Sequence, residues 1–152
     1  MKISPIIHID GRFNSKVSLD RKNKLIIQFK QGGSREHAKK FILGNEWKSA
    51  NGRVFDIPGR DIFKQYLESG GYTKITDILR KSMLKRFKGV KVAQQLEEAG
   101  QDIVKDIADF VYADKLKPEN GPVYKKQKLD APVGVYTGEM IDGLEAVYVR
   151  KP

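Results

Sequence analysis

From about Lys91 to Lys115 the apolar residues Val92, Leu96, Ile103, Ile107 and Phe110 recur at the period of a helix. Pro118 and then Asn120-Gly121-Pro122 stop the pattern. A helix of this length has one apolar stripe to bury, and whatever folds around it must supply a matching surface. Gly100 interrupts the stripe. A glycine inside a helix costs roughly 1 kcal/mol relative to alanine, so it marks either a close approach of another backbone or a tolerated weak spot. The exposed side carries Glu97, Glu98, Asp102, Asp106 and Asp109.

The segments before this helix fall into two kinds. After Pro58, Ile62, Phe63, Tyr66 and Leu67 predict a short helix that ends at Gly70-Gly71. A second helix follows over about Thr73 to Lys88, with Ile75, Ile78, Leu79, Met83 and Phe87 on its apolar face. Arg80, Lys81, Lys85 and Lys88, together with Lys74, fall largely elsewhere and form a candidate basic surface for assembly or for DNA. Separate positive and negative helical faces allow stacking on copies of the same chain; the plain alternative is two solvated faces. Upstream, Ile3 to Ile9 reads as a first strand, and Val17 and Leu19, a turn at Arg21-Lys22-Asn23, then Leu25 to Phe29 read as a hairpin. Between Gly32 and Pro58 the breakers Gly44, Asn45, Asn51 and Gly52 predict a long flexible loop with short ordered pieces. Its Phe41, Leu43, Trp47 and Phe55 either fold back on the core or face a partner.

The chain ends with an extended connector over about 116–132, rich in lysine and proline. Thr137 can cap a short helix, with Gly138 and Glu139 in its first turn and Met140, Ile141 and Leu144 as anchors. Glu145 to Val149 then alternates as a strand able to complete the N-terminal sheet. The expected architecture is a single α+β domain over 1–152. It has a small antiparallel sheet, of N-terminal strands plus the C-terminal strand, packed against two or three helices including one long one.

Composition narrows the chemistry. The chain has 152 residues, 39% of them hydrophobic, which suits one compact core. It has no cysteine and two histidines, His8 and His37, so thiolate chemistry and disulfides are excluded and little is left for an imidazole metal site. No run is long and apolar enough to span a bilayer and no signal-peptide core opens the chain, so a soluble product, cytoplasmic when made, is expected. The formal net charge of +10 would attract nucleic acid or an acidic protein surface. Glu46-Trp47-Lys48 has the Glu-x-Lys form used by some Mg²⁺-dependent nucleases, but it is expected in a loop without a fixed carboxylate partner. Gly32-Gly33-Ser34 lacks the lysine of a P-loop, and Gly70-Gly71 lacks a dinucleotide fingerprint. No catalytic, cofactor or metal residue is assigned, and the chain is expected not to be an enzyme.

The order of two motifs carries a resemblance. Ile57-Pro58-Gly59-Arg60, followed by Phe63, precedes the long glycine-bearing helix; Pro132, Thr137, Gly138, Met140 and Leu144 follow it. This arrangement resembles tailed-phage virion-morphogenesis proteins of the tail-completion type, whose pattern is Ile-Pro-x-Arg-Pro-Phe and then Pro-Leu-x-Asp-Thr-Gly before Ser-Ile and a final strand. Here Asp61-Ile62 replaces the single proline, Tyr136 takes the aspartate position, Gly143 the serine position, and one residue is added after Pro132. The resemblance covers about the C-terminal two-thirds of the chain. It implies an α+β fold, a ring of copies that is commonly hexameric, and a place in the virion at the neck or tail terminus. It further implies contact with connector, neck or tail-tube proteins, and no catalytic role. The alternatives from other classes are a small basic nucleic-acid-binding protein and, third, the Mg²⁺-dependent nuclease.

Overall fold

Alternation in the strand Asn23–Phe29 (β3) sets the layers: Leu25, Ile27 and Phe29 are buried while Lys24, Ile26 and Gln28 are half-exposed. The computed structural model describes residues 5–10, 14–19, 22–48, 50–86, 91–113, 115–117 and 139–150. β3 lies between Asn14–Ser18 (β2) and the last strand, Leu144–Arg150 (β6), and Ile6–Asp10 (β1) flanks β2. The four strands are antiparallel in the order β1-β2-β3-β6. The C-terminal strand thus completes the N-terminal sheet, as its alternation predicts. In the β3–β6 register Leu25 faces Tyr148, Ile27 faces Ala146 and Phe29 faces Leu144, so these residues share the inner face.

The stretch 32–58 differs from the predicted loop. It holds a helix, Gly33–Leu43 (α1), and a two-stranded ribbon of Gly44–Lys48 (β4) with Val54–Pro58 (β5). The glycines that suggest a loop are joints between short elements: Gly44 has φ 85 where α1 turns into β4, and Gly52 has φ 83 at the ribbon tip. Of the bulky residues, Phe41 is half-buried against the core and Leu43 is 50% exposed, while the side chains of Trp47 and Phe55 lie outside the described ones; Ala38 and Ile42 of α1 are buried in the core.

Ile62–Tyr66 (α2) begins at Asp61, whose Oδ1 accepts the N–H of Lys64 at 3.1 Å. Leu67–Gly71 forms a wide π-type turn kinked at Ser69 and Gly70, the latter with φ 93, and leads into Tyr72–Arg86 (α3). The expected break at Gly70-Gly71 is therefore a change of direction between joined helices. The long helix is Val92–Tyr112 (α4), and a single turn, Glu139–Asp142 (α5), introduces β6. Leu96, Ile103, Ile107 and Phe110 of α4 are buried, as their spacing predicts.

The close approach at Gly100 is present: a Cβ added there would lie 2.7 Å from the Cβ of Ala146 and 3.6 Å from Leu25 Cδ2, so α4 rests directly on β6. Leu116 is fully buried, and Gln65 holds Lys117 by two hydrogen bonds: its Nε2 donates to the Lys117 carbonyl at 2.6 Å and its Oε1 accepts the Lys117 N–H at 2.8 Å. The start of the predicted connector is thus anchored to α2; residues 118–132 lie outside the described residues.

Candidate assembly surface

The two charged helices meet along one flank of each. Lys74 Nζ lies 3.2 Å from Asp106 Oδ1, and the Ser82 hydroxyl donates to the Gln95 carbonyl at 3.1 Å, which fixes the flank each helix turns toward the other. At about 100° per residue, Lys81 falls on the same flank of α3 as Lys74, and Asp102 and Asp109 fall on the Asp106 flank of α4. Opposite charges therefore border one seam within a single molecule, and each offsets the other's field. Arg80 lies on the far flank of α3; both Arg80 and Lys81 are exposed. Lys85 belongs to α3, but its side chain, like all of Lys88, lies outside the described residues. Leu84, next to Arg80 and Lys81, is 65% exposed.

Asp106 does more than solvate a helix. Besides Lys74, it accepts the Tyr66 hydroxyl through Oδ2. Tyr66 is 3% exposed; burial first, then the hydrogen bond to Asp106 and its negative charge, holds the phenol well above its ordinary pKa. The three residues line an open groove of about 230 Å³ shared with Ser69, Asp109, Phe110 and Lys115. A phenol held neutral beside a carboxylate already paired with lysine is a structural tie between α2, α3 and α4, with neither a free base nor an activated nucleophile. The sequence counts Tyr66 only as part of an apolar stripe; its hydroxyl partner comes from a helix 40 positions away.

The motif residues are structural where they are described. The Arg60 N–H donates to the Phe41 carbonyl at 3.0 Å and its guanidinium lies 5.7 Å from the Phe41 ring centroid, with the residue 5% exposed. Phe63 packs on Phe29, their ring centroids 5.8 Å apart. Met140 and Leu144 are buried in the same core, and Pro58 closes β5 at the surface. Pro132, Thr137 and Gly138 lie outside the described residues, so the predicted cap does too. Gly59, inside the first motif, has no room for a side chain: a Cβ there would collide with the carbonyl oxygens of Ile42 and Leu43.

Glu46-Trp47-Lys48 lies on β4 and not in a loop, and Asp56 of β5 stands directly opposite Glu46. Glu46, Lys48 and Asp56 are all exposed on one face of the ribbon. Two solvated carboxylates supply few of the six or more oxygens a hard cation takes. Among the described residues no group of three or more His, Cys, Asp or Glu is placed to hold a metal ion, and no helix is long and apolar enough to cross a membrane. No protein-family model, no curated protein and no solved structure matches this chain.

Proposed function

We propose that this chain is a structural virion protein of a tailed phage, acting in tail completion or head–tail joining as a subunit of a ring at the neck or tail terminus. The observation that carries the reading is the convergence of the two motif stretches on one residue. Phe29 packs against Phe63 of the first motif and is paired across the sheet with Leu144 of the second. Motif positions that meet in a core are what a shared fold leaves in a sequence, and they are not the exposed, convergent polar groups that a shared reaction requires. The function of such a protein is assembly: copies bury complementary surfaces and present a docking face to connector or tail-tube proteins.

Electron microscopy of lysates from phage lacking this gene tests the reading. DNA-filled heads beside unattached tails, or tails of aberrant length, are expected, with normal particles on complementation. Normal infectious particles without the gene would refute it. Exposed Arg80 and Lys81 and the net charge of +10 favour nucleic-acid binding as the second reading. That reading predicts DNA affinity that falls steeply with salt, and a shallower slope when α3 is charge-reversed.

A further inference from the structure

We propose that the two open edges of the four-stranded sheet join copies of this chain, with β1 of one copy pairing antiparallel to β6 of the next so that the sheet continues around the ring. The inference rests on the ring-forming reading above and names the contact that would build the ring.

β1 and β6 end the sheet, and the described residues supply no further strand to either. The ladder fixes which residues face those edges. Lys30 N–H donates to the Gly143 carbonyl at 2.7 Å, and Leu19 N–H donates to the Asn23 carbonyl at 3.1 Å. Bonded pairs alternate along an antiparallel ladder, so β3 bonds β6 through Lys24, Ile26 and Gln28, and bonds β2 through Leu25 and Ile27. β2 is left with Asn14, Lys16 and Ser18 for β1, where their partners are Asp10, His8 and Ile6. The backbone groups of Ile7 and Ile9 therefore point off the β1 edge, and those of Ala146 and Tyr148 point off the β6 edge. All four residues belong to the inner face of the sheet.

An even number of alternating strands makes these edges complementary. Both present their free groups through residues of the same face, whereas an odd number would set inner-face residues against outer-face ones. Rotation about an axis along the strands also keeps the pairing antiparallel across the joint, and this is the heterologous geometry that closes into rings. Neither edge is blocked. Proline, lysine and bulges commonly protect sheet edges, yet β1 and β6 contain none of them, and Lys16 and Lys24 stand on the central strands. The edges are apolar instead: Ile6 is 59% and Ile9 37% exposed on β1, and Val149 is 37% exposed on β6. The Tyr72 hydroxyl donates to the Pro5 carbonyl at 3.0 Å, which holds the start of β1 on α3. Ile6 and Val149 end one row of the sheet, so a level joint sets them opposite each other, with Ile7 opposite Tyr148 and Ile9 opposite Ala146. Asp10 then opposes Glu145 at the far end, a like-charged pair that weakens the joint. A closed ring compensates, because each copy is held at both of its edges.

Sedimentation velocity of the full-length chain, combined with residue-resolved amide exchange, tests the joint. Self-association should tighten as salt rises, because screening relieves the repulsion between copies at +10. On association, exchange at Ile7, Ile9, Ala146 and Tyr148 should slow by about tenfold or more, while His8 and Val147, already bonded inside the sheet, stay unchanged. I6E and V149K should each move association to about fivefold higher concentration with unchanged thermal unfolding, and I6E/V149K in one chain should restore it. Association that is indifferent to both single variants, or that leaves those four amides exchanging freely, would overturn the joint and leave the ring reading standing. Weakening by the single variants without recovery in I6E/V149K would overturn it in favour of two-fold pairing of like edges. A chain that is monomeric at every concentration and salt would overturn the joint and remove self-assembly from the ring reading as well.

Discussion

The four-stranded sheet and the two-stranded ribbon are built from similar antiparallel ladders, yet they rest on different support. The sheet is covered by α4 along β6, with Gly100 set against Ala146, and its inner face joins α2 and α3 in one core. The ribbon has α1 at its root and an exposed outer face carrying Glu46, Lys48, Val54 and Asp56. Hydrogen bonds alone hold neither, because each replaces bonds to water and nets only about 1 kcal/mol. The sheet is held by the apolar surface that Leu25, Ile27 and Phe29 remove from water.

Substitutions should expose that difference in order of size. Phe63→Ala removes a ring that is 1% exposed against Phe29 and should cost about 3–5 kcal/mol in urea unfolding. Gly100→Ala should cost about 1–3 kcal/mol by overpacking the α4–β6 contact. The double variant with Ala146→Gly should recover part of that loss, and a coupling near zero would show that the two positions do not touch.

Tyr66→Phe should cost about 1–2 kcal/mol through the lost bond to Asp106. It should also change the alkaline limb of the stability curve. The unfolded phenol titrates at the ordinary value of 10.0 while the folded one is raised, so the folded state is favoured fully below pH 10.0. Above it the wild type should lose up to about 1.4 kcal/mol per pH unit from this group, a component that Tyr66→Phe should lack. An identical alkaline limb in both proteins would mean that the phenol is not held in the fold.

On the ribbon the same measurements should hardly move. Val54→Ser should stay within about 0.5 kcal/mol of wild type, since the side chain is already exposed. Glu46→Ala and Lys48→Ala should be equally silent in stability, and no Mg²⁺-dependent DNA cleavage is expected from either the wild type or the variants. Cleavage by the wild type that Glu46→Ala abolished would recast the ribbon as a reactive site.

Much of the frame was legible from periodicity. Leu25, Ile27 and Phe29 alternate, and Leu96, Ile103, Ile107 and Phe110 recur at helical spacing, because both elements bury one continuous face. α1 was not legible: its buried face consists chiefly of Ala38 and Ile42, and glycines stand at both of its ends. The ribbon was hidden by the same breakers, which serve as its joints. Of the surface residues, Arg80 and Lys81 are exposed as their helix positions predict. Arg60 is not legible as a buried group, because burial of a guanidinium depends on a ring supplied by α1.

By itself the sequence determined an α+β chain with a C-terminal strand returned to its N-terminal sheet, since alternation and helical spacing are local properties that report which face must leave water. Only the tertiary structure decided that Asp106 ties Tyr66 to Lys74, that Phe29 joins both motif stretches, and that acids and lysines of neighbouring helices border one seam. Those pairings depend on how helices rotate and cross once packed, and the interactions that select a rotation come from residues far apart in the chain.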